Sequence, residues 1–349
     1  MEKIPVAVLA ATGTVGQRFV QLLDNHPWFK VVALTGSDRS IGKTYEQACH
    51  WVLPTPMPDW ARQMNLVATE EGAFEARIGF SALPSYQALE WEPRFAKIGM
   101  LVCSNASAYR MEKDVPILIP EVNAEHIALI HWQRKQRGWS GAIITNSNCT
   151  STGMTVALKA LQDAFGVKAV FAVSMQALSG AGYPGVASLD ILDNVLPYIV
   201  EEEEKVEEEP RKMLGTISNG EIKFAPFPIS AHTNRVAVSE GHLVCLSVQL
   251  DKKASVEEIK AVLQQYQPPR ICMTLPSTPK PVIKVFEGND RPQPRLDRML
   301  GAGMTTSVGR IRPDPIWDVK MVVLSHNIIR GAAGGSIYNA ELAYQAGLI

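Results

Sequence analysis

Short, wholly apolar runs alternate with stretches of helical spacing through the first part of the chain. Ile4–Leu9 is such a run, suited to a strand buried on both faces. A turn of small residues follows at positions 10–16. Positions 17–25 then show helical periodicity, with Phe19, Val20, Leu22 and Leu23 as the apolar set. A second buried strand is predicted at 31–34. Strand, glycine turn, helix and strand in about 30 residues make a βαβ unit. Further strands are predicted at 78–82, 100–103, 117–119 and 142–145. This alternation predicts an α/β fold opening with a Rossmann-type, doubly wound parallel sheet.

The pattern changes after Asn148. Positions 152–165 read as an amphipathic helix carrying Met154, Val156, Leu158 and Leu161. Val167–Gln176 and His242–Leu250 read as strands of a second sheet. A helix is predicted over 255–265, with Ser255 as N-cap and Glu258 closing a capping box. Proline-rich stretches at 268–281 and 291–294 mark surface connections. The final segment, 331–349, has helical spacing at Ile337, Ala340, Leu342 and Ala343 and suits a helix returning to the first sheet. The glutamates at 201–204 and 207–209 read as a solvated helix face.

At 349 residues the chain exceeds one typical core, so two domains are expected. Apolar residues make up 46% and charged residues 20%, a balance that a disordered chain does not show. With 34 basic and 35 acidic residues the net charge is −1, which argues against a nucleic-acid partner. Five cysteines, an odd number with no CxxC pair, argue against a disulfide framework or a structural zinc site, so no metal is expected. Cys103 and Cys245 sit in apolar runs and are expected in the core. The opening MEKIPVAVLAATG runs straight into a strand and shows no secretory pattern. No apolar run approaches the ~20 residues that span a bilayer. A cytoplasmic protein with no membrane partner is expected.

The turn Ala10-Ala11-Thr12-Gly13-Thr14-Val15-Gly16 lies between a strand and a helix. Dinucleotide turns need glycine because backbone approaches the diphosphate closely, and the helix N-terminus offers free N–H groups. Ala10 replaces the usual first glycine. At the end of the second strand, Ser37, Arg39 and Ser40 suit a 2′-phosphate by charge-assisted hydrogen bonds, which favours NADP over NAD; Asp38 dissents. Without a ligand the same residues make an ordinary polar turn. Cys149, in Asn146-Ser147-Asn148-Cys149-Thr150, follows an apolar strand and opens a helix, a setting that favours a nucleophilic thiolate. His242, seven residues after Arg235 and just before a strand, is the candidate proton-handling group among seven histidines. A cysteine hydrolase without cofactor and a non-catalytic binding protein are the readings from other classes. Absence of dinucleotide binding would favour the first, and a Cys149 inert to alkylation the second.

These motifs together resemble the aspartate-β-semialdehyde dehydrogenase family over nearly the whole chain. The matching strings are the turn at 11–16, Ser104-Asn105-Ala106-Ser107-Ala108-Tyr109-Arg110, Ile119-Pro120-Glu121-Val122-Asn123, Asn148-Cys149-Thr150, the string from Gln176 to Gly185 with Ser179 and Gly180, the Arg235–His242 spacing, and Asn327 to Ser336. The SGAGYPG string and the acidic stretch are similar to the archaeal and fungal-like branch. The resemblance implies a Cys149 nucleophile, Gln176 orienting the intermediate, and His242 as acid/base. It implies that Arg235 holds the substrate α-carboxylate. Arg110, Asn148 and Lys205 would bind phosphate, and Glu202 would contact the amine or orient Lys205. Glu209–Lys212 has the same spacing as Glu202–Lys205, so either pair fits that role. Thr12, Gly13, Thr14, Val15, Gly16, Ser179, Gly180 and Asn327 would contact NADP. The implied reaction is reversible, NADPH-dependent reductive dephosphorylation of L-4-aspartyl phosphate, feeding lysine, methionine and threonine synthesis. A same-scaffold acyl reductase, such as malonyl-CoA reductase, is the alternative. The implied architecture is an NADP-binding domain at 1–148, an α+β catalytic and dimerisation domain at 149–330, and 331–349 packing back on the first. A homodimer or homotetramer is implied.

Overall fold

The computed structural model describes residues 2–349. Its first sheet has seven parallel strands: β1 (Ile4–Leu9), β2 (Phe29–Thr35), β3 (Leu66–Val67), β4 (Ile78–Ser81), β5 (Leu101–Ser104), β6 (Ile117–Leu118) and β7 (Ala142–Asn146). Their order is β3-β2-β1-β4-β5-β7-β6, so the chain leaves β1 in both directions, as a doubly wound sheet requires. The run Val6, Ala7, Val8, Leu9 is fully buried, because helices cover both faces. Helix α1 (Thr14–Leu22) follows β1, and α2 (Ser85–Lys97) follows β4. The α1 helix starts three residues earlier than its apolar spacing predicts, because Gly13 is its N-cap.

The second sheet is mixed. It contains β8 (Val167–Gln176), β11 (Ile229–Arg235), β12 (His242–Leu250), β13 (Ile283–Val285), β14 (Thr306–Pro313) and β15 (Val319–Ser325), in the order β11-β8-β12-β15-β14-β13. A small hairpin, β9 (Thr216–Ser218) and β10 (Glu221–Lys223), stands apart. Three helices accompany this sheet: α3 (Cys149–Phe165), α4 (Glu202–Met213) and α5 (Val256–Gln265). Ser255 caps α5 and Glu258 completes the capping box, as the sequence predicts. Inward residues such as Val170, Ala172, Val244 and Leu246 form a core with Met154, Leu158 and Leu161 of α3. The alternate residues Phe171, Val173, Met175, Leu243, Cys245 and Val322 are only half-buried. Cys245 therefore faces away from the core, contrary to expectation, because strand alternation sends every second side chain to the opposite face. Cys103 is buried.

The last helix, α6 (Gly334–Gln345), shares a core with the first sheet: Ile337, Tyr338 and Leu342 pack with Val6, Val8 and Ile144. Before it, Arg330 forms a buried ion pair with Glu121, Nη2 to Oε1 at 2.6 Å. That pair gives Glu121 of the Pro120-Glu121-Val122-Asn123 string a structural part. No helix among the described residues is long and apolar enough to cross a membrane.

Candidate active site

One helix start and three strand ends converge on a cavity of about 570 Å³. β7 ends at Asn146, and Asn148 caps α3 by accepting from the N–H groups of Thr150 (2.9 Å) and Ser151 (3.1 Å). Cys149 is thus the first residue of α3, at the positive end of its dipole. β12 runs antiparallel to β8, while β11 runs parallel to it with Arg235 opposite Gln176. This topology brings the end of β8, the end of β11 and the start of β12 together, and with them Gln176, Arg235 and His242.

Cys149 Sγ lies 3.2 Å from His242 Nε2. The His242 Nδ1 accepts the backbone N–H of Ala177 at 3.0 Å. Burial and the neighbouring Arg235 hold the imidazole at about 3, far below its ordinary value. Burial also pushes the Cys149 thiol up to about 12; the Glu202 carboxylate adds to this, while Arg110 and Arg235 oppose it. Arg235 donates to the Ala177 carbonyl at 2.8 Å and lines the cavity. Gly180 is required by these neighbours: a Cβ there would stand 2.7 Å from Arg235 Nη1 and 3.1 Å from His242 Cε1. Gly331 likewise lets the C-terminal segment reach Cys149, since a Cβ would lie 2.8 Å from the cysteine Cβ.

The acidic stretch is not uniformly a solvated face. Glu202, Val206 and Glu209 form one buried stripe of α4, whereas Glu201, Glu204 and Glu208 are exposed. Glu202 Oε1 accepts from Asn148 Nδ2 (2.8 Å), Gln176 Nε2 (3.1 Å) and Thr150 Oγ1 (3.3 Å). Glu209 accepts from Arg110 Nη1 (3.0 Å) and the Asn148 N–H (2.5 Å). Arg110 also donates to the carbonyls of Asn146 (2.9 Å) and Asn105 (2.8 Å), so its guanidinium is fixed toward the cavity it lines.

The two lysines separate cleanly. Lys212 is buried and donates to the carbonyls of Arg110 (2.6 Å), Glu112 (2.7 Å) and Val115 (2.8 Å), which occupies all three of its protons. It braces the loop that carries Arg110, and burial lowers its pKa to about 8. Lys205 is half-buried and lies outside the Cys149 cavity. It lines an adjoining one of about 370 Å³ that Arg110 also lines.

The dinucleotide turn fits its ligand class. Ala10 takes the left-handed φ of 59° that glycine usually supplies, with its N–H donating to Thr35 Oγ1 at 3.0 Å. Gly16 has no room for a side chain, since a Cβ would come 2.4 Å from the Ala10 carbonyl oxygen. Gly13 caps α1 without a side chain and the first turn carries no acidic residue, leaving N–H donors for a diphosphate. Thr12, Gly13, Ser37 and Asp38 line a cleft of about 500 Å³. Thr14, Val15, Ser179, Gly180 and Asn327 line the Cys149 cavity. Asn327 Nδ2 donates to Ser179 Oγ at 2.9 Å, and its Oδ1 accepts the Gly241 N–H at 2.8 Å. Arg39 is exposed, and the Ser40 hydroxyl donates to the Ser37 carbonyl at 2.7 Å, so Ser40 shapes the turn.

Three contributors were given no role of their own by the motifs: Asn105, quoted only within a matching string, lines the Cys149 cavity; Gly36 lines the dinucleotide cleft; and Glu209, offered only with Lys212 as an alternative pair, anchors Arg110. Glu209 had a usable signal. Glu202, Val206 and Glu209 repeat at i, i+4 and i+7, the spacing of one helix face. Among the described residues no group of His, Cys, Asp and Glu is arranged to hold a metal ion.

A dinucleotide turn beside a cavity lined by a thiol and two arginines, with a buried imidazole against the thiol, fits the class of semialdehyde dehydrogenases. Residues 5–130 match the family described as semialdehyde dehydrogenase, NAD binding domain, and residues 158–330 match semialdehyde dehydrogenase, dimerisation domain. Aspartate-semialdehyde dehydrogenase from Archaeoglobus fulgidus is 51% identical over 344 residues, covering 99% of both chains. That from Schizosaccharomyces pombe is 46% identical over 352 residues, again covering 99% of both. The crystal structure of aspartate semialdehyde dehydrogenase with NADP from Candida albicans matches at a TM-score of 0.91 and 40% identity, over the full length of both chains. The chain belongs to the aspartate-semialdehyde dehydrogenase family.

Proposed function

We propose that this chain catalyses the reversible, NADPH-dependent reductive dephosphorylation of L-4-aspartyl phosphate to L-aspartate 4-semialdehyde, a step of amino-acid biosynthesis, through a thioester on Cys149. The observation that carries the reading is the Cys149–His242 contact of 3.2 Å in a cavity lined by both Arg110 and Arg235. A substrate with an anionic carboxylate at one end and phosphate at the other calls for two separate guanidinium groups.

Cys149 attacks the acyl carbon. Arg235 holds the α-carboxylate, and Glu202 takes the amine. Arg110, kept in place by Glu209, receives the phosphate with help from Asn148; Lys205, in the adjoining cavity, reinforces its positive charge. Gln176 orients the intermediate, and His242 presents Nε2 to the reacting oxygen. The residues of the turn at 12–16, with Ser179, Gly180 and Asn327, bind NADP, and Ser37 and Arg39 select its 2′-phosphate. When bound, the dinucleotide supplies or removes the hydride.

Residues 1–148, completed by 331–349, form the cofactor unit in this reading, and 149–330 the catalytic and dimerisation unit. The assembly is a homo-oligomer in a reducing, cytoplasmic setting. The test is phosphate-dependent reduction of NADP by purified protein given L-aspartate semialdehyde. Activity that requires phosphate is expected. Inactivity with this substrate, alongside NADPH oxidation with malonyl-CoA, would overturn the assignment.

A further inference from the structure

β5 ends at Ser104, and the chain then turns through Asn105 and Ala106 toward Arg110. Asn105 and Arg110 both line the Cys149 cavity. Helix α2 holds this loop at three points. The Ser85 and Ser107 hydroxyls meet at 3.0 Å on the surface, and Tyr109 Oη donates to the Leu89 carbonyl at 2.9 Å. The third point is buried: Ser104 Oγ donates to Glu92 Oε1 at 2.7 Å. The same Ser104 oxygen accepts the Ala106 N–H at 3.1 Å. A hydroxyl has one proton, so its direction toward Glu92 leaves the lone pairs to Ala106. Asn105, between those two residues, accepts Arg110 Nη2 on its carbonyl at 2.8 Å. A continuous chain of contacts thus runs from α2 to the guanidinium. Glu92 is fully enclosed, and among the described residues no lysine, arginine or histidine is ion-paired with it. Burial pushes its carboxyl up to about 7, and the Ser104 hydroxyl only partly offsets this. Packing alone does not call for a carboxyl here, since an apolar side chain would fill the place without the desolvation cost.

We propose that Glu92 is a positioning residue for phosphate: its Oε1 orients Ser104, Ser104 fixes the turn at Ala106, and Asn105 and Arg110 are thereby presented to the Cys149 cavity. The inference rests on the reading of Arg110 as the phosphate group's partner. Glu92 lines neither the Cys149 cavity nor the dinucleotide cleft, so it acts only through Ser104. Its influence falls on one half of the reaction. The thioester forms from semialdehyde and NADP without phosphate; phosphate is needed only to release it.

Three variants of the full-length protein test this. Glu92→Leu and Ser104→Ala each break the link, and Ser104→Ala does so even where the helix tolerates the leucine poorly. Glu92→Gln keeps an acceptor oxygen for Ser104 without the charge. Breaking the link should raise KM for phosphate about tenfold, the loss expected for one buried hydrogen bond. KM for the semialdehyde and the amplitude of the NADPH burst without phosphate should stay at wild-type values. The double variant Glu92→Leu/Ser104→Ala should be no worse than Ser104→Ala alone, because the two residues share one link. Glu92→Gln should bring KM for phosphate back to within about threefold of wild type. Hydrogen exchange of segment 104–110 should quicken in the two broken-link variants and recover in Glu92→Gln. An unchanged KM for phosphate, a burst that falls in step with it, or no recovery in Glu92→Gln would overturn the proposal. The two readings fail separately. Normal phosphate-dependent activity with unchanged exchange in the variants refutes only this inference. A wild-type protein without phosphate-dependent activity refutes the reaction and, with it, the use of Glu92 in that reaction.

Discussion

On the sulfur of Cys149 two effects oppose each other. The N-terminus of α3, Arg110 and Arg235 favour the thiolate; burial and Glu202 favour the thiol, and burial dominates, with a resulting value of about 12. Alkylation requires the thiolate. Its rate should therefore climb about tenfold per pH unit between roughly pH 7 and 9, still below the midpoint. A rate already flat across that range would show a low-pKa thiolate and contradict the electrostatic account. At this scale the sequence was informative where a motif carries its own context. Strand, Asn148, Cys149 and helix lie within a few residues of each other, and the structure keeps that arrangement. It was uninformative for Lys205 against Lys212. Their identical spacing from Glu202 and Glu209 hides the three carbonyls that engage Lys212. The Ala177 N–H facing His242 leaves no trace in side-chain identity at all.

Among the elements, β8 and β12 take the bounds that their apolar runs predict, and α5 starts at its capping box. The strands β11, β14 and β15 were not anticipated. β11 reads Ile-Ser-Ala-His-Thr-Asn-Arg, whose outward residues are polar and whose inward set, Ile229, Ala231, Thr233 and Arg235, holds a single large apolar side chain, so its apolar signal is weak. α3 begins three residues before its apolar period, because a cap and not hydrophobicity sets its start. The second sheet has a consequence for assembly. Phe171, Val173, Met175 and Leu243 form an apolar patch on its outer face, only half-buried in the single chain. Such patches mark protein contacts, and residues 158–330 match a dimerisation domain. Val173→Asp should shift the protein toward monomer in sedimentation equilibrium. An unchanged mass would place the interface elsewhere.

For the whole molecule, distant pairings tie the two sheets into one cavity. Arg18 on α1 reaches Glu240, 222 positions away, at 2.8 Å, beside Gly241 and His242. Arg330 reaches Glu121 across 209 positions. Pairings at such separations carry no local pattern, so the sequence shows the ingredients of the site without showing their meeting. The family resemblance supplied that meeting as an expectation; the strand order supplies its physical basis. The central claim is a covalent acyl group on Cys149. Protein mixed with L-aspartate semialdehyde and NADP, without phosphate, should release a burst of about one NADPH per active chain and then stall. Intact-mass analysis should find one aspartyl group on Cys149 and none in Cys149→Ser. Steady turnover with no burst and no adduct would contradict the thioester account.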